Sequence, residues 1–68
     1  MTDREVQEGF DEVYNRFWRK YRNNIPDKHS DEWERMHTYS VVLQKKYPFL
    51  SQTVHQMEIE LDERMRRR

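Results

Sequence analysis

The residues most able to do chemistry in this chain are its three histidines, His29, His37 and His55. Glu34 and His37 stand as Glu-x-x-His. On a helix that spacing places a carboxylate and an imidazole on one face, as in di-iron bundles. Such centres need a second copy of the motif and further inward glutamates. His55 and Glu58 offer the pair only in reverse order. There is no cysteine, so a thiol nucleophile, a disulfide and a Cys-based zinc site are all excluded. A single glycine leaves no Gly-rich phosphate loop. Ser30, Ser40 and Ser51 have no His/Asp constellation in the sequence that would activate a hydroxyl. No catalytic, cofactor-binding or metal-ligating residue is assigned. The expectation is a non-enzymatic protein without cofactor or small-molecule substrate.

A different kind of chemistry is suggested by FDEVYNRFWRKYR, residues 10–22, where rings and cations alternate. Single-strand nucleic-acid binders place aromatic side chains beside basic ones so that bases stack on the rings. Helical spacing argues otherwise. Val6, Phe10, Val13, Tyr14, Phe17, Trp18 and Tyr21 recur at intervals of three and four, which is one face of a helix. Glu5, Glu8, Glu12, Arg16 and Arg19 lie on the opposite face. The rings are therefore read as interior, with Tyr14 and Trp18 at the edges of the stripe. Hydrophobic residues make up only 34% of the chain, and the nine aromatic side chains are its largest apolar resource.

The elements that carry these residues follow from caps and prolines. Thr2 and Glu5 form a capping-box pattern ahead of a first helix over about 2–22. Gly9 is a mild blemish in it. Pro26 drives Ile25 out of helical conformation and ends that helix near Asn23-Asn24. Ser30 is an N-cap, with Asp31 and Glu32 in the favourable first turn of a second helix over about 30–47. Trp33, Met36, Ser40, Leu43 and Tyr47 form its stripe, with Tyr39 beside it. Pro48 starts a third helix over about 48–66, which buries Leu50, Val54, Met57, Leu61 and Met65. The expected fold is all-α: one small three-helix bundle spanning residues 1–68, with neighbouring helices antiparallel.

Each helix is acidic towards its start and basic towards its end, which complements the helix dipole. In an up-down-up bundle the first and third helices end together. Arg16, Arg19, Lys20 and Arg22 then approach Arg64, Arg66, Arg67 and Arg68, partly offset by Asp31, Glu32 and Glu34. This basic pole is the candidate anion- or nucleic-acid-binding site. Val42 and Ile59 fall off their stripes, and Trp18 lies at the margin of its own. These three are the candidate partner-binding residues, with self-association through the second and third helices expected, a dimer being the simplest case.

At 68 residues the chain is one domain at most, and a core of this size supplies about 3–5 kcal/mol. Thirteen basic and thirteen acidic side chains cancel. No apolar run approaches the ~20 residues of a membrane span, and the start MTDREVQEGF lacks the apolar segment of a signal peptide. A cytoplasmic location is the default expectation.

FWRKY from Phe17, the Ser30-Asp31-Glu32-Trp33 helix start, KKYP from Lys45 and ELDERMRRR from Glu60 form an ordered pattern. It resembles a group of short, uncharacterised all-helical proteins of Gram-positive bacteria and their mobile elements. The resemblance implies an all-helical fold in a bacterial cytoplasm and carries over no site residues. The expected function is a small protein-interaction module, accessory to a mobile element, acting by helix-face contact. The alternative is a weak nucleic-acid binder that uses the basic pole.

Overall fold

The computed structural model describes residues 1–67 and shows three helices in an up-down-up bundle. Among the described residues there is no strand, and no helix is long and apolar enough to cross a membrane. We label the helices α1 (residues 3–21), α2 (Asp31–Lys46) and α3 (Ser51–Arg67); a 3-10 turn, Pro48–Leu50, leads into α3. Each start follows its cap. Thr2 Oγ1 accepts from the Glu5 N–H at 3.2 Å, and Ser30 Oγ accepts from the Trp33 N–H at 3.3 Å. The α1–α2 loop is tied locally: the Ser30 hydroxyl donates to the Asp27 carbonyl at 2.6 Å. At the other break Pro48 cannot continue α2, and the Leu50 N–H bonds back to the Tyr47 carbonyl at 2.9 Å.

The first helix is not uniform. Asp3–Phe10 is α-helical, Asp11–Trp18 is π-helical and Arg19–Tyr21 closes as α-helix. The wide segment ends where the Arg19 N–H reaches the Tyr14 carbonyl, five residues back. This has a geometric consequence. In an α-helix a step of four residues overshoots one turn by about 40°, so a row spaced by four drifts round the surface. A π-helix takes more residues per turn, so the drift reverses. Gly9, Val13, Phe17 and Tyr21, spaced by four, therefore stay in line, and all four are buried.

Val13, Phe17 and Tyr21 meet Met36 and Leu43 of α2 and Leu50, Val54 and Leu61 of the third segment in one core. Phe17 is fully enclosed and makes edge-on contacts with Tyr21 and Tyr39, with ring centroids 5.5 and 5.4 Å away. Ser40 is the one fully buried polar side chain among the described residues. Its hydroxyl accepts from Gln44 Nε2 at 3.3 Å, and Gln44 Oε1 accepts from Ser51 Oγ at 3.1 Å. That chain of bonds fastens the start of α3 to α2.

Two expectations change. Phe10 is not interior: it is 52% exposed. It stands one residue after Gly9 and so falls in the neighbouring row. Gly9 is no blemish: a β-carbon there would lie 2.8 Å from Phe49 Cζ, 3.1 Å from Leu50 Cδ1 and 3.2 Å from Tyr47 Cδ1. The missing side chain lets the Tyr47–Leu50 turn sit directly on α1.

The two phenylalanines of α1 should therefore behave differently. Phe17→Ala should cost about 3–5 kcal/mol, which is the whole margin of so small a core, and abolish the cooperative melt. Phe10→Ala should stay within about 1 kcal/mol of the native chain. Thermal and urea unfolding followed by circular dichroism distinguish the two.

Candidate functional site

Beside the buried row of α1 runs a second row with the same spacing: Phe10, Tyr14 and Trp18. The π-helical segment keeps this row straight too, and turns it towards α3. Tyr14 is 49% exposed, and Trp18 is half-buried. Phe10 meets Phe49 edge-on at 6.3 Å between centroids, and Phe49 meets Tyr47 in the same way at 6.3 Å. An aromatic ridge thus starts on the Tyr47–Leu50 turn and continues along α1.

Two members of the ridge, Tyr14 and Trp18, form one wall of a groove of about 830 Å³ between α1 and α3. Tyr14 and Trp18 face Gln52, Thr53, Gln56 and Met57, with His55 and Glu60 also lining it. The groove is open because α1 packs more sparsely against α3 than α2 does. Its α3 side is unusual for this chain. Although 38% of the residues are charged, residues 47–57 include no Asp, Glu, Lys or Arg. Depletion of charge together with exposed rings and methionine is the composition of interface centres.

At one end the groove is closed by a cation on a ring. The Arg64 guanidinium carbon lies 4.9 Å from the centre of the Trp18 ring, while Arg64 Nε donates to Glu60 Oε2 at 2.8 Å. This contact places the end of α1 beside the end of α3, as an up-down-up bundle requires. The hydrogen bond from Arg64 holds the Glu60 carboxyl below the usual carboxylate range, against a smaller opposing effect of burial.

The three candidate partner-binding residues do not form one patch. Trp18 lines the α1–α3 groove. Val42, 52% exposed, lies with Thr38, Tyr39 and the carboxylates of Asp31 and Glu34 in a second groove. Ile59, 39% exposed, lies in a third, with Trp33, His37, Glu58 and Asp62. A surface built on α2 and α3 from Val42 and Ile59 is therefore not assembled.

The basic pole is assembled in part. Arg64 approaches Trp18, but the α3 arginines are matched on their own helix. Arg66 pairs with Asp62 at 3.0 Å, and Arg67 pairs with Glu63 at 3.4 Å. Arg68 lies outside the described residues. On α1, Arg16 and Arg19 are exposed and have no carboxylate partner among the described residues, while Lys20 lies 5.4 Å from the Tyr21 ring centre. Arg22 is half-buried, with its Nε atom enclosed and unbonded. Of the three expected offsetting carboxylates, Glu32 shares a small depression with Lys20 and Tyr21, whereas Asp31 and Glu34 line the second groove.

The histidines take separate places. His37 Nδ1 lies 2.7 Å from Glu58 Oε1 and links α2 to α3, whereas Glu34 faces the second groove. His55 lines the aromatic groove. No group of three His, Asp or Glu side chains able to hold a metal ion gathers among the described residues. Between α1 and α2, Lys46 Nζ bonds Glu12 Oε1 at 3.2 Å, and that hydrogen bond raises the lysine's pKa. Burial and the nearby Glu12 charge push the Tyr39 phenol up, so it stays protonated at ordinary pH.

Sequence reasoning placed Tyr14 and Trp18 at the edge of the stripe but missed Phe10, Phe49 and the neutral α3 wall. Two signals mark them: the four-residue spacing of Phe10, Tyr14 and Trp18, and the charge-free run at 47–57. No protein-family model matches the chain, and no curated protein or solved structure shows significant similarity to it.

The clasp of Glu60 on Arg64 carries a pH dependence of fixed sign. A carboxyl whose folded-state pKa is depressed adds stability above its unfolded value, and the contribution is lost as pH falls through the folded one. Glu60→Gln should therefore lower the melting temperature slightly near neutral pH. The gap from the native chain should close below the carboxylate range, which melts at a series of pH values will show.

Proposed function

We propose that the protein is a small non-enzymatic interaction module that acts by helix-face contact through the α1–α3 groove. The observation that carries this reading is the exposed row of rings. A chain with 34% hydrophobic residues places Phe10, Tyr14 and Phe49 outside its core, in line with Trp18 and beside an α3 wall whose one acidic or basic side chain is Glu60. In a protein short of apolar material, rings withheld from the interior are best accounted for by a contact that covers them. A bacterial cytoplasmic setting, accessory to a mobile element, rests on the motif resemblance alone.

Photo-crosslinking in cells tests the reading. A benzophenone amino acid in place of Tyr14 should yield one discrete adduct. The same group in place of Thr38, which lines a different groove, should not. Absence of an adduct from position 14, or equal labelling from both, would overturn the proposal.

The second reading, an anion-binding pole, draws on the exposed and unmatched Arg16 and Arg19 together with Lys20. It expects binding to duplex or single-stranded DNA that weakens steeply with salt. Titration at two ionic strengths is decisive, since binding that is absent at micromolar protein removes it.

A further inference from the structure

Resting on the reading of the groove as a contact surface, we propose that its occupant is a second copy of this chain, packed antiparallel about a two-fold axis near Tyr14 and Asn15. A two-fold interface must be self-complementary: if residue i meets j, then j meets i. The α1 row meets that condition. Reversal about Tyr14 exchanges Phe10 with Trp18, so each large ring is offered another. The same axis sets Asp11 opposite position 17, about 3 Å of helix rise short of Arg19 and within that long side chain's reach.

Charge selects the direction. The exposed charged groups of α1 are mainly acidic in its first half, with Asp3, Glu5, Glu8 and Asp11 against Arg4, and basic in its second, with Arg16, Arg19 and Lys20. Parallel copies would set like against like, whereas antiparallel copies set each acidic half against a basic one. Arg19 has no carboxylate partner among the described residues. Asp11 is already steadied, with its Oδ1 accepting from Asn15 Nδ2 at 2.6 Å. The α3 wall adds little repulsion when doubled: residues 47–57 carry no Asp, Glu, Lys or Arg, and Glu60 is already engaged by Arg64.

A standard interface takes ~800 Å² per partner, and with extents of 39 × 18 × 16 Å the bundle must lay most of one long side against its copy to reach it. This arrangement differs from self-association through α2 and α3, because Val42 and Ile59 line separate grooves and have no part in it.

Sedimentation velocity on the purified chain, from low to high micromolar concentration, is the test. A concentration-dependent dimer is expected. Tyr14→Glu, which sets two carboxylates together at the axis, should give a monomer whose circular dichroism melt stays cooperative. Asp11→Arg and Arg19→Asp should each weaken the dimer by about tenfold or more, and the two together should restore it. A monomer at every concentration overturns the proposal, as does a dimer indifferent to Tyr14→Glu. Failure of the double exchange to rescue overturns the antiparallel arrangement. A monomer in vitro combined with an in-cell adduct from position 14 to a different protein would end this inference and leave the interaction reading standing.

Discussion

Everything in this bundle hangs on two rows of side chains, each spaced by four residues, that share one helix. Neither row would stay straight on an α-helix, because each step of four would carry it about 40° further round. The wide turn at Asp11–Trp18 removes that drift. One row, Gly9, Val13, Phe17 and Tyr21, then points continuously into the core. The other, Phe10, Tyr14 and Trp18, lies along its flank. A π-helical turn is an uncommon and weakly bonded form. Here its cost is offset by the burial of Val13, Phe17 and Tyr21 together, and burial of such side chains is worth about 1.5–3 kcal/mol each.

The same constraint explains the division of labour between the two ends of the molecule. At the end formed by the α2–α3 turn, Gly9 lets Leu50 into the core and brings Phe49 beside Phe10. At the opposite end α1 and α3 are joined by Arg64 lying on Trp18. Between these two points there is little to fill the space, since Gln52, Thr53 and Gln56 are too short and too polar to close it against Tyr14. The groove is therefore a product of composition. Large rings are supplied by α1 and uncharged polar groups by much of α3, while α2 packs against α3 more closely than α1 does.

Much of the fold was legible from local signals. Thr2 and Ser30 cap where their side-chain chemistry says they should, and Pro26 and Pro48 mark the breaks. Met36, Ser40 and Leu43 of the α2 stripe and Leu50, Val54 and Leu61 of the α3 stripe are buried as their periods require, while Trp33, Tyr47 and Met57 are partly buried beside them. The candidate site was less legible. A helical wheel with a fixed angle per residue merges the two rows of α1 into one broad face, so Phe10 counts as interior. The wide turn has no sequence signature of its own, and Gly9 reads as a weak helix former until the turn that packs on it is known. Val42 and Ile59 were correctly read as off their stripes. Being off a stripe fixes a direction on one helix, however, and not the neighbour that shares it, and each came to face a different groove. The basic pole is assembled only in part for a related reason. End-to-end charge gradients place cations together, but Glu60, Asp62 and Glu63 lie within one turn of the arginines and engage them first.

Sharing a helix couples the surface to the interior. Val13, between Glu12 and Tyr14, and Phe17, next to Trp18, cannot move without moving the exposed row, because the same wide turn sets the direction of both. A core of this size supplies only a few kcal/mol, so opening of α1 from the bundle is a low-energy event by the standards of larger domains. Opening separates Trp18 from Arg64 and dissolves the groove along with the core. On the proposed reading, an occupant of the groove binds the closed form alone and so adds its own binding free energy to folding. The rings held outside the core would then contribute to stability in that complex, where a covered face does what a larger interior does in a longer chain.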